Sequence, residues 1–471
     1  MNNGYVISGS LFGDEGKGTF VDFLAHEKDI KQNVRYNGGS QASHTVIHDG
    51  YVHKFSQLGS SMFVQNNKTY LSGNTIVNPF NLYEEAKRYS EISKLPISYI
   101  LDRIYIDKNA LVVTPYHKLI GMIRELYLKD NKRGSVGTGV SQTRDLQDTK
   151  GIGIKASDLL DLDGMGTKNL NELFEYTKEY YKNHVASIDP SLLACNIDED
   201  DIYYLTEDSN RDYIKNCYDN LMNTNYFNIV DGIKEFYTPG EDMLFEGSQG
   251  LLIDRYYGIR PHTTKLDTTN HFARKLCEEI NYNPVLIGAS RAFASRHGKG
   301  LLPTKDDELQ KVIFDPNQTP SFWQGSPVYG WYDALLMRYS QSINNNDELF
   351  LSGLDQLSPF KAIKVCNCYL YKGEVDEEFE RTFEYCKDGG RIFITNIIHS
   401  SIYLNKYLER CVPIYIDVKG WECNIRNINK YEDLPKECHD FIELIESLVN
   451  TPISLVGVGP SRENKIRRLV R

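Results

Sequence analysis

Short apolar runs, each bounded by turn residues, recur along this chain and constrain its fold more than any other feature. They lie at residues 5–7, 243–245, 284–287, 348–351, 362–365 and 453–456. Bounded runs of this kind, rich in Val, Ile, Leu and Phe, are typical of strands that are buried on both faces. Amphipathic stretches that predict helices lie between them, at residues 81–92, 115–128, 170–184 and 333–343. This alternation predicts an α/β fold with a mainly parallel central sheet flanked by helices, with ligands at the carboxyl ends of its strands.

Length and composition leave room for a large core. The chain has 471 residues, of which 41% are hydrophobic, and generic size rules allow more than one lobe. Residues 160–240 differ from the rest, because they are rich in Asn, Asp and Tyr and carry few strand-like runs. This region predicts a helical insertion on the α/β core.

Charge and cysteine usage exclude several classes of protein. The net charge of −11 argues against a protein that coats nucleic acid, since such a protein needs a basic excess. No apolar run reaches the roughly 18 residues of a membrane span, and the first residues do not have the pattern of a signal peptide. Nine cysteines without metal-ligand spacing are typical of reduced thiols. We expect a cytoplasmic protein that binds neither nucleic acid nor membrane.

A glycine-rich loop, Gly13-Asp14-Glu15-Gly16-Lys17-Gly18, follows the first apolar run and precedes a predicted helix. Strand, glycine-rich turn and helix place backbone N–H groups and a helix N-terminus against a phosphate. Lys17 can neutralise phosphate charge, and Asp14 can take a proton or hold Mg²⁺, so the loop suits phosphoryl chemistry. The loop is not a strict Walker A motif, because Gly18 separates Lys17 from Thr19. An ordinary turn is the alternative interpretation.

Six further segments accompany this loop, at residues 37–46, 134–139, 244–250, 293–300, 351–355 and 457–462. Their order and spacing, with His44-Thr45-Val46 downstream of the loop, resemble the adenylosuccinate synthetase family from about residue 4 to 466. The resemblance implies a single domain over residues 1–471 with a P-loop-NTPase-like core. It also implies a homodimer that uses GTP and Mg²⁺ to join an amine, aspartate in the family, to C6 of inosine monophosphate.

The resemblance also implies roles for individual residues. Asp14 is the base that removes the purine N1 proton, His44 is the acid that contacts the transferred phosphoryl group, and Gln249 orients the purine. The remaining residues fall into three groups: GTP contacts at Gly13, Glu15, Gly16, Lys17, Gly18, Thr45, Asp355, Gly459 and Pro460; purine nucleotide contacts at Gln41, Ser135, Val136, Lys150, Gln249 and Thr264; and metal ligands at Asp14 and Ser43. Lys17 is counted with the catalytic group as well. Asp355 selects guanine, because a carboxylate can accept hydrogen bonds from guanine N1 and N2.

The sequence departs from the family pattern mainly on the acceptor side. The family has several arginines before its Gly-Trp pair, and they bind the aspartate carboxylates through two-bond contacts. Here residues 322–331 contain no arginine. We predict weak aspartate use, with Arg296, His297 and Lys299 as the residues that would contact the amine substrate. A Gly at position 353 also replaces the family's Lys near the guanine site.

Alternatives remain open at this point. The chain fits an ordinary, divergent adenylosuccinate synthetase of purine biosynthesis. It also fits a sensor that binds GTP or purine nucleotides without turnover, although the Asp14–His44 pair argues against a pure binder. Each key residue has an ordinary structural interpretation as well: a turn for Asp14, a buried hydrogen-bonded side chain for His44, and a helix cap for Gln249 or Asp355.

Overall fold

The structure is a computed structural model, and it describes residues 2–129, 134, 137–222, 226–315, 320 and 322–468. Its strands, in chain order, are β1 (Asn3–Gly9), β2 (Gln32–Arg35), β3 (Gly38–Gly39), β4 (His44–His48), β5 (Tyr51–Phe55), β6 (Lys68–Leu71), β7 (Thr75–Val77), β8 (Ile104–Asp107), β9 (Leu111–Val112), β10 (Asn228–Val230), β11 (Met243–Gly250), β12 (Asn283–Arg291), β13 (Ala294–Arg296), β14 (Val328–Gly330), β15 (Tyr332–Asp333), β16 (Glu348–Ser352), β17 (Ala362–Tyr371), β18 (Phe383–Asp388), β19 (Arg391–Ile397), β20 (Cys411–Lys419), β21 (Ile453–Gly457) and β22 (Lys465–Arg467).

Its helices, in chain order, are α1 (Lys17–Glu27), α2 (Pro79–Ser93), α3 (Ile97–Leu101), α4 (Pro115–Tyr127), α5 (Val140–Lys150), α6 (Met165–Val185), α7 (Pro190–Asn196), α8 (Glu199–Thr206), α9 (Tyr213–Met222), α10 (His271–Glu279), α11 (Asp307–Val312), α12 (Ala334–Asn344), α13 (Glu377–Thr382), α14 (Leu404–Leu408) and α15 (Lys436–Val449). Helices α2 and α4 begin with proline and are capped by Asn78 and Thr114, which accept backbone N–H groups of the first turn. Such caps satisfy N–H groups that have no partner inside the helix.

A large sheet forms the centre of the molecule and confirms the predicted fold class. Within the described residues it contains ten strands in the order β10-β8-β6-β2-β11-β1-β12-β16-β21-β22. Neighbours in this order pair in parallel, except β21 with β22. Helices pack on both faces. In β1, Val6 packs on one face with Phe245, and Ile7 packs on the other with Phe20, as the alternation of side chains along a strand requires.

One predicted strand belongs elsewhere. Residues 362–365 open β17, which lies in a second sheet and not in the central one. There β17 pairs antiparallel with β19 and β20 and parallel with β15. The prediction of a central parallel strand was wrong at this position, because the exposed Ala362 and half-buried Lys364 leave one face of β17 only partly covered.

The region from 160 to 240 contains helices α6 to α9, up to Met222. Beyond them, β10 adds an edge strand to the central sheet by pairing with β8. The boundaries of this insertion and the single domain over 1–471 stay predictions. None of the helices in the described part of the chain is both long enough and apolar enough to cross a membrane.

Candidate active site

The glycine-rich loop between β1 and α1 is shaped by its own side chains. Gly13 and Gly16 have φ angles of 109° and 80°, a left-handed conformation that favours glycine. The Glu15 carboxylate accepts hydrogen bonds from the backbone N–H groups of Leu11 (2.5 Å) and Gly13 (3.2 Å). Burial raises the pKa of Glu15, against the opposing effect of Lys17. Glu15 therefore supports the loop from within.

Lys17 is buried and closes the same loop. Its Nζ donates to the carbonyl oxygen of Gly13 at 2.5 Å and lies 3.4 Å from Glu15 Oε2. The ammonium group is thus already at the centre of the backbone turn, where an entering phosphate chain would compete for it.

The loop runs between two of the other predicted catalytic residues. A Cβ atom at Gly13 would lie 3.4 Å from Cα of Gln249, and one at Gly18 would lie 2.5 Å from Cβ of His44. Asp14 lies between Gly13 and Gly18 in the chain. It is half-buried, and its backbone oxygen accepts from the Ser295 hydroxyl at 3.4 Å. The structure therefore places the loop that carries Asp14 beside both His44 and Gln249, at the carboxyl ends of β1 and β11.

His44 begins β4 and is held by a buried carboxylate. Its Nδ1 lies 2.5 Å from Glu246 Oε1, and its Nε2 lies 3.4 Å from the backbone oxygen of Ser248. Burial lowers the pKa of His44, and the bond to Glu246 opposes this change. A carboxylate on one ring nitrogen fixes the ring's orientation and stabilises a positive charge when a proton arrives.

Glu246 is fully buried in β11 and receives several donors besides His44. Ser60 contributes its backbone N–H (2.9 Å) and its hydroxyl (2.5 Å), and Asn33 contributes its Nδ2 (2.8 Å). Arg35 lies 3.7 Å away. Burial alone would raise the pKa of Glu246, but Arg35 and the His44 and Ser60 contacts lower it to about 2. The carboxylate is therefore ionised, and its position is fixed from several sides.

Gln249 also lines a cavity of about 150 Å³. Six residues predicted to contact the acceptor or the amine line it: Gln41, Gln249, Thr264, Arg296, His297 and Lys299. Gln41 Nε2 lies 3.5 Å from Gln249 Oε1. Among the described residues, the amide oxygens of Gln41 and of Gln142, which also lines the cavity, are buried without a hydrogen-bond partner. A ligand with N–H donors would satisfy them.

One wall of the cavity is positively charged. Arg124 and Lys265 line it and contact the same carboxylate, Asp145, at 3.1 and 2.8 Å. Burial would raise the pKa of Asp145, but Lys265 and Arg124 hold it below its usual value. Two further arginines, Arg144 and Arg255, contact the neighbouring Asp148 at 3.1 and 2.8 Å. Arg144 and Arg255 do not line the cavity. Among the described residues of the lining itself, the cations Arg124, Lys265, Arg296 and Lys299 outnumber the one carboxylate, Glu125, and this net positive charge attracts anions.

Two of the residues predicted to contact the amine, Arg296 and His297, already have hydrogen-bond partners in the protein. Arg296 is buried, and its guanidinium donates to the backbone oxygens of Leu301 (2.8 Å) and His262 (2.9 Å). Burial lowers the pKa of Arg296 to about 10. His297 Nε2 lies 3.3 Å from the oxygen of Gly325. Arg296 thus mainly holds the protein's own loops together.

The segments predicted to bind guanine adjoin the glycine-rich loop. The Ser352 hydroxyl, at the end of β16, donates to the backbone oxygen of Glu15 at 2.9 Å. Asp355 follows almost directly, with 5% of its side chain exposed and an ion pair to Arg426. The carbonyl of Gly459, which precedes Pro460, accepts from Lys465 at 2.9 Å.

Other predicted residues lie apart from these contacts. Lys150 is exposed at the end of α5, and Ser43 is exposed beside His44. Thr45 contributes its backbone oxygen to the Thr19 hydroxyl at 3.3 Å. Ser135 and Val136 lie outside the described residues.

The sequence interpretation missed Glu246, Arg124 and Lys265. The signal for Glu246 was available, since it is an acid inside an apolar strand sequence, Leu244-Phe245-Glu246. Lys265 directly follows the predicted Thr264. Arg124 lies in a predicted helix, and nothing in its spacing indicated that its side chain lines a cavity.

Comparison with known proteins now identifies this architecture. The profile of adenylosuccinate synthetase matches residues 6–466. The adenylosuccinate synthetase of Halothermothrix orenii is 30% identical over 469 residues, which cover 98% of each chain. The enzyme of Desulfitobacterium hafniense is 29% identical over the same length and coverage.

The chain belongs to the adenylosuccinate synthetase family.

Adenylosuccinate synthetases are GTP-dependent ligases that form a C–N bond, so this chain is a ligase of that class. Solved structures agree in fold. A fully ligated adenylosuccinate synthetase from Plasmodium falciparum is 24% identical, with a TM-score of 0.76 over 99% of this chain and 100% of that one. The succinoaminodeoxyadenylate synthetase of cyanophage S-2L, bound to dGMP and dATP, is 13% identical, with a TM-score of 0.57 over 100% and 96%.

Proposed function

We propose that this ligase phosphorylates the 6-oxygen of a purine nucleotide with GTP, and then joins an amine that is not a dicarboxylate at C6. One observation carries the proposal: Gln249 lies against the glycine-rich loop and also lines the cavity. A purine that Gln249 holds in the cavity has its 6-oxygen beside Asp14 and His44, which is also where the γ-phosphate of bound GTP would lie.

The chemistry follows from these positions. Asp14 removes the N1 proton, and negative charge builds on the 6-oxygen. That oxygen attacks the γ-phosphorus, the bond to the bridging oxygen breaks, and GDP leaves. His44, supported by Glu246, stabilises the charge on the transferred group. The amine then attacks C6 and loses a proton, and inorganic phosphate leaves, because phosphate is a far better leaving group than an oxide.

The acceptor side supports an amine other than aspartate. Residues 322–331 contain no arginine, and the Arg296 guanidinium already donates to two backbone oxygens. The other guanidinium group in the described part of the cavity lining, that of Arg124, is paired with Asp145. Two carboxylates brought into the cavity would therefore have to compete with these partners for two-bond contacts. An amine with one carboxylate or none meets the available groups better.

Mg²⁺ and a partner subunit complete the proposal. Asp14 offers a half-buried carboxylate, which is the hard oxygen ligand that Mg²⁺ prefers. Ser43, the residue before His44, offers an exposed hydroxyl. Bound there, the ion would neutralise phosphate charge. We also propose a homodimer in which the exposed Lys150 contacts the nucleotide phosphate of the partner's site, and a cytoplasmic location. Light scattering tests the dimer.

The decisive experiment is a product screen. Purified protein is incubated with GTP, Mg²⁺, each of IMP, dIMP, GMP and dGMP, and each common amino acid, and products are read by mass spectrometry. We expect GDP, phosphate and an adduct of a purine nucleotide with an amine other than aspartate. Asp14→Ala serves as the control that binds GTP without forming product.

Two results would contradict the proposal. Rapid formation of the IMP–aspartate adduct at low-micromolar aspartate would indicate an ordinary adenylosuccinate synthetase. Binding of GTP without phosphate release across the whole screen would indicate a sensor.

A further inference from the structure

We infer that Arg426 is a positioning residue that determines donor specificity by fixing the carboxylate of Asp355 for base recognition. The inference rests on the proposed use of Asp355 to select GTP. Arg426 lies 71 residues from Asp355 along the chain, in a segment to which the sequence gives no role.

The contact has a specific geometry. Both Nε and one terminal nitrogen of Arg426 lie 2.9 Å from a single oxygen, Oδ2 of Asp355. In the described part of the chain, no protein group donates to the other oxygen, Oδ1. A guanidinium on one oxygen holds the carboxylate plane and leaves Oδ1 to accept from a ligand.

Arg426 is itself tied to the opposite wall of the base site. Its backbone oxygen accepts from Asn464 Nδ2 at 2.9 Å. Asn464 in turn accepts from the backbone and hydroxyl of Ser461 at 3.2 and 2.7 Å, and a Cβ at Gly459 would lie 2.6 Å from its Oδ1. The arginine therefore links the Asp355 turn to the Gly459–Pro460 turn, the two segments between which a base would lie.

The location of the charges fits a role in selection more than a role in stability. The Asp355 side chain is 5% exposed, whereas that of Arg426 is 55% exposed. Because the guanidinium side of this ion pair is open to solvent, its contribution to folding is limited. It can nevertheless restrict the rotation of the carboxylate, so that Oδ1 stays turned towards the N–H donors on the Watson–Crick edge of guanine.

The test compares three nucleotides with different donors. GTP offers the N1–H and the 2-amino group, ITP offers the N1–H alone, and ATP offers neither in this arrangement. Dissociation constants are measured for the wild type, Arg426→Ala, Arg426→Lys and Asp355→Asn, with KM for the acceptor nucleotide as a second readout. The control is Arg391→Ala, which removes an exposed arginine paired with Asp388 at 3.9 Å.

We expect Arg426→Ala to weaken GTP binding about fivefold and to lower the GTP-to-ITP preference, with ATP binding and the acceptor KM unchanged. Arg426→Lys should restore only part of the preference, since an ammonium lacks the two-point contact. Equal changes for all three nucleotides, no change, or tighter GTP binding would overturn the inference. A wild type without preference for GTP over ATP, or an Asp355→Asn variant that keeps it, would instead refute the role of Asp355.

Discussion

The donor half of the site, which comprises the glycine-rich loop, His44 and Glu246, differs from the acceptor cavity in how fully its polar groups are paired. In the donor half, the buried Lys17 ammonium has two partners, Gly13 and Glu15, and the buried Glu246 carboxylate has three, Asn33, Ser60 and His44. In the cavity, the amide oxygens of Gln41 and Gln142 have no partner among the described residues. If these groups act as proposed, those for phosphoryl transfer are preorganised by the fold, whereas those for the acceptor need the ligand to complete their hydrogen bonds.

The largest effect should come from the donor half itself. Asp14→Ala removes the base and is expected to lower turnover by about a thousandfold or more. GTP binding should remain, because Lys17 and the loop N–H groups are untouched. Phosphate release and calorimetric GTP titration measure the two properties. Asp29→Asn, at an exposed aspartate paired with Lys31, is the control, and unchanged turnover in Asp14→Ala would remove this residue from the mechanism.

Glu246→Gln tests whether turnover depends on the buried carboxylate that contacts His44. The amide keeps the shape but loses the charge that stabilises a protonated ring, so turnover should fall about a hundredfold. KM for GTP should stay near its wild-type value. Stopped-flow phosphate release over a range of pH provides the measurement. Glu27→Gln, at an exposed glutamate paired with Arg467, is the matched control; a variant with the wild-type rate and pH profile would contradict the assignment.

Gln324→Arg would make the cavity more like the arginine-rich form of the family. Gln324 lines the cavity, and a guanidinium there could meet one carboxylate of aspartate with two bonds. We expect KM for aspartate to fall about tenfold, as followed by initial rates at varied aspartate. Gln65→Arg adds the same charge at an exposed position outside the cavity. If both variants respond alike, the missing arginines do not explain weak aspartate use.

Glu85→Gln should affect turnover least, about twofold, but should change the pH dependence of stability. Glu85 accepts the backbone N–H groups of Ser56, Gln57 and Leu58 at 2.8 to 3.2 Å, and this stretch leads to Ser60 and the donor half. Burial raises the pKa of Glu85 from 4.5 to about 7, against its backbone hydrogen bonds. The folded state therefore holds the proton more tightly than the unfolded state.

The sign of the effect follows from that difference. The contribution of Glu85 to stability is full below about pH 4.5 and is lost as the pH rises towards about 7. Relative to Glu85→Gln, the wild-type free energy of unfolding should fall across this window by at most about 1.4 kcal/mol per pH unit. Urea denaturation at several pH values tests it, with Glu84→Gln at the exposed neighbouring residue as control. Parallel stability curves would show that Glu85 has an ordinary pKa.

Sequence patterns predicted the central sheet well, because strands buried on both faces are apolar without interruption. β1, β11, β12, β16 and β21 all contain a predicted run. The pattern failed for β17, since an apolar run does not reveal which sheet will pair with it. It also missed the other strands of the central sheet, because each is short and contains polar residues: β2, β6, β8, β10 and β22.

Predictability of the site differed in the same way. The glycines of residues 13–18 predicted the turn that the structure shows between β1 and α1, and the phosphate contact of this loop stays a prediction. Arg426, Arg124 and Lys265 were not predicted, because each acts through a partner distant in sequence, such as Asp355 or Asp145. Local spacing carries no information about such contacts.

Strand β11 lies between β2 and β1 in the central sheet, and it carries Glu246 and Gln249 near its end. A mutation that shifts this strand would damage the hydrophobic core and the phosphoryl chemistry together, so selection acts on both at once. Gln324 and residues 297–299, which also line the cavity, lie in loops outside the central sheet. Substitutions in these loops can therefore change which amine such a ligase accepts while the donor half stays constant.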